Sequence, residues 1–181
     1  GPVSIQLDTE MGNGTQAAHF LWYFEEDWEV RTRLVTVDLF DPWTNRIIHY
    51  DYPPVAQGWC YRATDQILLG TTESNVENRM VGKTIQTIQN SDERLSVLYS
   101  IRLQQRTLSR QEYEYYQVQA KLNNEMGGLF TPQPSELPTN ITCSNDSRKV
   151  IGYVGCNMGV TYRQLYVSEE EVFYRDSYNC D

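Results

Sequence analysis

LSVLYSIRLQQRTLSRQEYEYYQVQAKLNNEM, residues 95–126, contains a strand pattern followed directly by a helix pattern. Alternation of apolar and polar residues with a period of two is typical of a strand that buries one face. The first part of the stretch therefore predicts a strand over residues 95–104. Its core-facing side chains are expected to be Leu95, Val97, Tyr99, Ile101 and Leu103.

The second part of the stretch predicts the one substantial helix, near residues 109–126. Ser109 and Glu112 have the spacing of a capping box, in which each side chain binds a free backbone amide at the helix start. Gly127 and Gly128 end the pattern, because glycine enters the left-handed region without strain. An apolar stripe at helical spacing is formed by Tyr115, Val118, Leu122 and Met126. We expect this stripe to pack onto the sheet, in preference to serving as a tyrosine-rich platform for a ligand.

The region before this stretch is a series of strand patterns. Residues 17–37 carry apolar side chains at both alternating sets of positions, for example Phe20 and Leu21, which predicts a central strand covered on both faces. We interpret the acidic run Glu25 to Asp27 as a solvated turn that interrupts this strand, and we expect a loop at residues 75–82. Shorter strands are predicted at residues 3–8, 46–50, 59–62 and 67–72.

Two further strand patterns follow the helix, at residues 150–156 and 160–167, with a turn between them. Many short strands with one capped helix predict a single, mainly β domain over residues 1–181. The expected architecture is an antiparallel β-sandwich, immunoglobulin-like or related, with the helix inserted before its last strands.

Charge and composition exclude some classes of function. The chain has 15 Lys and Arg against 24 Asp and Glu, a net charge of −9, and its basic residues are scattered. Nucleic-acid binding, which needs clustered basic residues, is therefore not expected. The sequence has no apolar run of about 18 residues that could span a membrane. Tyrosine is frequent, with 13 residues, and it suits half-buried strand faces as well as binding surfaces.

The four cysteines lie far apart in the sequence, and no two of them form a C-x-x-C pair. The two histidines are not near them, so a structural zinc site is not expected. The remaining interpretations are buried thiols, or at least one disulfide formed in an oxidising compartment, and we favour the disulfide. The candidates are Cys60, Cys143, Cys156 and Cys180.

Motifs for catalysis and for nucleotide cofactors are missing from the sequence. It contains no G-x-S-x-G, no P-loop and no dinucleotide fingerprint, so we expect no cofactor and favour a non-enzymatic protein. The acidic run between aromatic residues could also supply glycosidase carboxylates or calcium ligands. Because neighbouring residues of a strand point to opposite faces and no calcium-loop pattern is present, we prefer the solvated turn.

The candidate recognition site is the aromatic and acidic region from residue 22 to residue 41, together with the turn after it. Trp43 follows Pro42 in this turn, where a large side chain is hard to bury. A binding or assembly module is the leading hypothesis, because aromatic anchors dominate binding energies. A structural or adhesive domain and a carbohydrate-active enzyme are the alternatives. The candidate ligand-binding residues are Trp22, Trp28 and Trp43.

Several separated pieces of the sequence, from about residue 20 to residue 167, resemble the C-terminal half of the proteins of one family. These pieces are residues 22–28, Cys60-Tyr61, Tyr99-Ser100-Ile101, Leu108-Ser109 with Tyr113, residues 128–135, Asn140-Ile141 and Ile151-Gly152-Tyr153. In order and spacing they are similar to a family of Bacteroidetes outer-membrane lipoproteins, domain of unknown function 4249.

The resemblance implies a compartment and a kind of partner. Members of the family are exported, held at the outer membrane by a lipidated cysteine, and carry a β-rich domain ahead of this region. Their genes tend to lie beside TonB-dependent receptors, which implies an accessory role in nutrient capture or surface assembly. The expected partner is such a receptor or another surface protein, with a glycan or a peptide as a further ligand. The lipid anchor would be the only link to a membrane.

Overall fold

The computed structural model describes residues 1–10, 18–31, 36–52, 57–75, 78–125, 137–145, 148–156 and 159–172. Within these ranges the chain forms nine strands and one α-helix. The helix is α1 (Arg110–Glu125), and the strands are β1 (Val3–Glu10), β2 (His19–Arg31), β3 (Asp38–Asp41), β4 (Arg46–His49), β5 (Gln57–Ala63), β6 (Leu68–Thr71), β7 (Arg79–Ile88), β8 (Leu98–Leu108) and β9 (Val160–Ser168).

An antiparallel five-stranded sheet forms the body of the protein, with β5, β2, β8 and β9 in that order. The long strand β2 lies inside it, as its apolar residues on both faces predicted. On one side β2 pairs with β8 from His19 to Glu29, for example Trp22 with Gln105. On the other side it pairs with two strands end to end, β6 at His19–Trp22 and β5 at Glu25–Arg31.

The core lies between this sheet and an antiparallel ribbon of β1 and β7. Alternate residues of β2 point toward the ribbon, and Phe20 and Trp22 are almost completely buried there. They pack with Tyr99 of β8 and with Ile85 and Ile88 of β7. The protein is therefore mainly β and sandwich-like, with antiparallel sheets and a single described helix, as predicted.

Close packing in this core leaves no room for a side chain at Gly70 of β6. A Cβ atom at this position would lie 2.3 Å from the Trp22 indole and 2.8 Å from the Met80 methyl group. Non-bonded carbon atoms pack at about 3.5–4.0 Å. The absence of a side chain at position 70 therefore lets the indole lie against the backbone of β6.

The helix begins where its capping motif predicted. The backbone amide of Glu112 donates to Oγ of Ser109 at 3.2 Å, and α1 starts at Arg110. The helix packs on the face of the sheet opposite the ribbon, where Tyr113 stacks on His19 with ring centroids 4.7 Å apart. Tyr115, Val118 and Leu122 of the predicted stripe are half-buried, whereas Met126, Gly127 and Gly128 lie outside the described residues.

Three strand predictions were wrong. Glu25, Glu26 and Asp27 continue β2 instead of forming a turn, because each of them pairs with residues of both β5 and β8. We expected a loop at residues 75–82, but strand β7 begins at Arg79 and pairs with β1. Residues 150–156 form no strand. Instead of pairing with another strand, the backbone of Val154 binds the side chain of Asn140. The Asn140 amide donates to the Val154 carbonyl at 2.8 Å, and its oxygen accepts from the Val154 N–H at 2.9 Å.

Candidate functional site

The hairpin of β3 and β4 is built by a short turn at residues 42–45. The carboxylate of Asp41 accepts hydrogen bonds from the backbone amide of Trp43 at 2.9 Å and from the Thr44 hydroxyl at 2.6 Å. Asn45 takes a left-handed φ of 54°, a conformation that asparagine tolerates better than most residues. The sequence thus specifies a tight reversal with Trp43 at its tip.

Apolar side chains cover both faces of this hairpin. Leu39 pairs with Ile48 and Phe40 with Ile47, so consecutive pairs point to opposite sides. Within the described part of the chain, β3 and β4 pair only with each other. We call residues 38–52 the exposed hairpin. Seven of its large hydrophobic residues are each more than a third exposed, up to 94% at Trp43: Leu39, Phe40, Trp43, Ile47, Ile48, Tyr50 and Tyr52.

Charged side chains lie at both ends of the exposed hairpin. At its base, Nδ1 of His49 lies 2.7 Å from a carboxylate oxygen of Asp38 on the opposite strand. At its tip, Asp41 lies opposite Arg46. The hydrogen bonds from Thr44 and from the Trp43 backbone hold the pKa of Asp41 below its ordinary value. The apolar surface is therefore framed by polar groups, as in the core and rim of a protein interface.

The sheet face that carries α1 at one end presents a second surface, which we call the open face. Trp59, Tyr61, Tyr162 and Tyr166 on this face are about 60% exposed. In its middle the guanidinium of Arg102 binds the carboxylate of Glu25, and the Tyr61 hydroxyl donates to the same carboxylate at 3.2 Å. The hydrogen bond from Arg102, aided by that from Tyr61, lowers the pKa of Glu25 against the opposing effect of burial.

Glu26, the next residue, points the other way into the core and is completely buried. Its carboxylate accepts hydrogen bonds from the Tyr99 hydroxyl at 2.6 Å, from Arg94 at 2.9 Å and from Gln86 at 3.1 Å. A nitrogen of Arg62 lies 2.6 Å from its second oxygen. We call these five residues the Glu26 network. It joins β2, β5, β7 and β8 with the 3₁₀ turn Glu93–Leu95.

The Glu26 network keeps its carboxylate ionised. Burial raises the pKa of Glu26, but the hydrogen bonds from Tyr99, Gln86 and Arg62 and the charge of Arg94 outweigh it, so the pKa lies below its ordinary value. Burial and the adjacent carboxylate raise the pKa of Tyr99, so its hydroxyl stays protonated as a donor. Because protein donors occupy both carboxylate oxygens, this arrangement is suited to holding the fold together rather than to binding a ligand.

The structure separates the three tryptophans proposed as ligand-binding residues. Trp22 is completely buried, and its indole nitrogen donates to Gln105 at 2.8 Å. Trp28 is half-buried against the same core, and only Trp43 lies fully on the surface. The hairpin residues Leu39, Phe40, Ile47 and Ile48 were missed. Their signal in the sequence is a pair of adjacent apolar residues on either side of a turn.

The acidic run and the cysteines do not form a metal site in the described residues. Glu25 and Asp27 lie on the open face while Glu26 lies in the core, and no group of three or more His, Cys, Asp or Glu side chains is gathered elsewhere in the part described. The expected disulfide is not found among the described cysteines, since Cys60, Cys143 and Cys156 are free thiols. Cys180 lies outside the described residues.

The fold and its exposed hairpin define a mainly β domain with an uncovered apolar surface. A family model matches residues 3–163, and the chain belongs to this family, described as a domain of unknown function (DUF4249). No curated protein and no solved structure gives a significant match to the chain. No helix among the described residues is long and apolar enough to cross a membrane.

Proposed function

We propose that this chain is a non-enzymatic binding or assembly module of the bacterial cell surface, and that the exposed hairpin docks into an apolar groove of a partner protein. The partner is a TonB-dependent outer-membrane receptor engaged in nutrient capture. The full-length protein is a Bacteroidetes lipoprotein that reaches this partner from a lipid anchor in the outer membrane. The exposure of the seven hairpin residues is the observation that supports this proposal.

The energetic argument concerns what the hairpin gains from a partner. Moving a large apolar side chain from water into a packed environment stabilises by about 1.5–3 kcal/mol. The hairpin presents aromatic residues such as Phe40 and Trp43, which are the side chains that anchor protein interfaces. Large exposed apolar patches on monomers mark surfaces of interaction. A groove that received the tip of the hairpin would bury Trp43 at its centre.

The charge of the hairpin favours a protein partner over a lipid surface. Asp38, Asp41 and Asp51 stand against the single arginine Arg46, and the whole chain carries a charge of −9. Anionic lipid headgroups attract basic segments and repel acidic ones. A receptor groove with an apolar floor and a basic rim is complementary to this surface, and such complementarity guides both association and specificity.

The test uses the full-length lipoprotein and the TonB-dependent receptor encoded beside its gene, produced together and purified in detergent. The first variant is Trp43→Ala, and the matched control is Trp59→Ala, since Trp59 is 62% exposed but lies on the open face. Titration of receptor with lipoprotein gives the affinity, and thermal unfolding gives the Tm. We expect Trp43→Ala to weaken binding by about 30-fold or more, as for a central anchor, with an unchanged Tm.

Each alternative result has a definite meaning. Equal affinities for wild type and Trp43→Ala would contradict docking by the hairpin. Weakened binding by Trp59→Ala alone would place the interface on the open face. A lower Tm of Trp43→Ala with unchanged affinity would leave that side chain with a structural role only.

A further inference from the structure

A cavity of about 510 Å³ lies where α1 crosses the end of the open face. Its floor is formed by neighbouring strands, with Leu21 and Tyr23 of β2 beside Arg106 and Gln104 of β8. Its far wall is α1, and its rim is the connection between β5 and β6, residues 64–67. A pocket of this size accommodates a small organic molecule, and its lining is not part of the exposed hairpin.

The side chain of Arg106 in this cavity has no partner among the described residues. Its Nε atom is buried without a hydrogen bond, and within the described residues the guanidinium forms no ion pair. The other arginine of the same face, Arg102, binds Glu25. Burying a guanidinium donor without a partner costs free energy, which is why most buried cationic groups are paired. Arg106 is therefore a cation held ready for an anionic group from outside the chain.

We propose that this cavity binds a small organic carboxylate, and that Arg106 receives the carboxylate group. This inference is independent of the docking of the exposed hairpin. The planar guanidinium presents parallel donors that match the two oxygens of a carboxylate, and this pairing is stronger and more directional than a single hydrogen bond. The terminal nitrogens of the guanidinium are the donors that meet the ligand, because Nε has almost no accessible surface and no described residue binds the terminal nitrogens.

The remaining walls define the body of the ligand. The aromatic rings of Tyr23 and Tyr116 and the side chain of Ile67 give apolar contact. Gln104 and Gln119 supply amides, which both donate and accept hydrogen bonds. Asp65 is the acidic residue of the rim, and it suits a donor such as a hydroxyl or an amide N–H at the opposite end of the ligand. An acylated amino acid and a uronic acid both fit this chemistry.

The experiment uses two matched pairs of probes, N-acetyltyrosine with its amide and galacturonate with galactose. Each is titrated calorimetrically into the purified chain. We expect at least one acid to bind and its neutral counterpart to bind at least tenfold more weakly. The acid that binds then distinguishes a peptide-like ligand from an acidic sugar.

Variants assign the binding to Arg106. Arg106→Gln should weaken binding of the acid at least tenfold with an equal or higher Tm, because no described residue pairs with the half-buried guanidinium that it removes. Arg79→Gln, the same change at an exposed residue of β7, should bind like wild type. Gln119→Trp is designed to fill the cavity from α1 while leaving Arg106 in place, and it should abolish binding in a folded protein.

Three results with the wild-type chain and Arg106→Gln would overturn the proposal. They are binding of the acid by Arg106→Gln with wild-type affinity, equal binding of an acid and its neutral counterpart, and no binding of either acid by the folded wild-type chain. If Arg106→Gln lowers the Tm, Gln119→Trp provides the independent test. Wild-type affinity in that folded variant would also contradict a ligand in this cavity. Loss of receptor binding in Trp43→Ala has no bearing on these outcomes.

Discussion

The Glu26 network and the exposed hairpin invert the usual distribution of polar and apolar groups. The network places a carboxylate and two arginines in or beside the core, whereas the hairpin exposes seven large hydrophobic residues. The buried charge has all its partners within the chain, so it contributes to the uniqueness of the fold. The exposed apolar surface has none in the described chain, so its partner is sought outside. The comparison shows that structural and binding residues differ here less in polarity than in whether each side chain has its interaction partners within the chain.

The largest expected effect comes from removing the centre of the network. Glu26→Ala leaves Arg94 and the Tyr99 hydroxyl without their acceptor in the core, and breaking a buried ion pair in this way costs about 3–5 kcal/mol. Urea unfolding measures the free energy. Glu25→Ala is the matched control, because it removes a partly exposed ion pair with Arg102, worth about 0–1 kcal/mol. Equal losses in the two variants would break the comparison.

Acid should weaken the Glu26 network. Because the folded-state pKa of Glu26 is lowered from its ordinary value of 4.5, its contribution is fully present above that value and is lost as the pH falls through the folded pKa. The free energy of unfolding should therefore fall in acid below pH 4.5. Tyr99→Phe removes one donor and raises the folded pKa of Glu26 toward its ordinary value, so the acid-dependent loss should be smaller and should be complete at a higher pH. An identical acid dependence in the two proteins would argue against control by this contact.

The smallest expected change in stability comes from the hairpin. Trp43→Ala removes a side chain that is 94% exposed, so the free energy of unfolding should change by no more than about 0.5 kcal/mol. Trp22→Ala, the same substitution in the core, should cost about 3–5 kcal/mol. Chemical denaturation of the two variants under one set of conditions gives both values. Surface substitutions rarely cost as much as about 1 kcal/mol. A larger loss for Trp43→Ala would show that the hairpin packs against its own chain.

Local patterns in the sequence predicted the elements that depend on local physics. The alternation around Tyr99 predicted β8, although the strand begins at Leu98 and Leu95 belongs to the preceding 3₁₀ turn. The apolar residues on both faces around Phe20 predicted β2 inside the sheet, and the spacing of Ser109 and Glu112 predicted the start of α1. Each of these signals acts within a few residues. They also gave the fold class, because many short strands and one helix leave few ways to bury their apolar faces.

The errors arose where distant residues decide the outcome. An acidic run inside an apolar strand resembles a turn unless Arg62 and Arg94 are known to meet Glu26, and both are separated from it by more than 30 positions. Arg106 looks like an ordinary polar residue of a half-exposed strand, and only the fold places it in a cavity beside α1 with no partner among the described residues. The sequence does indicate the exposed tip of the hairpin, because Trp43 follows Pro42 in a turn.

The contact between Gly70 and Trp22 has an evolutionary consequence. A Cβ atom at position 70 would lie only 2.3 Å from the indole. Position 22 therefore accommodates a large ring only because position 70 has no side chain. Substitution should therefore be ordered: a smaller residue must replace the tryptophan before any side chain is admitted at the glycine. Among homologous sequences the pair should covary, and lineages that retain tryptophan at position 22 should show glycine at position 70.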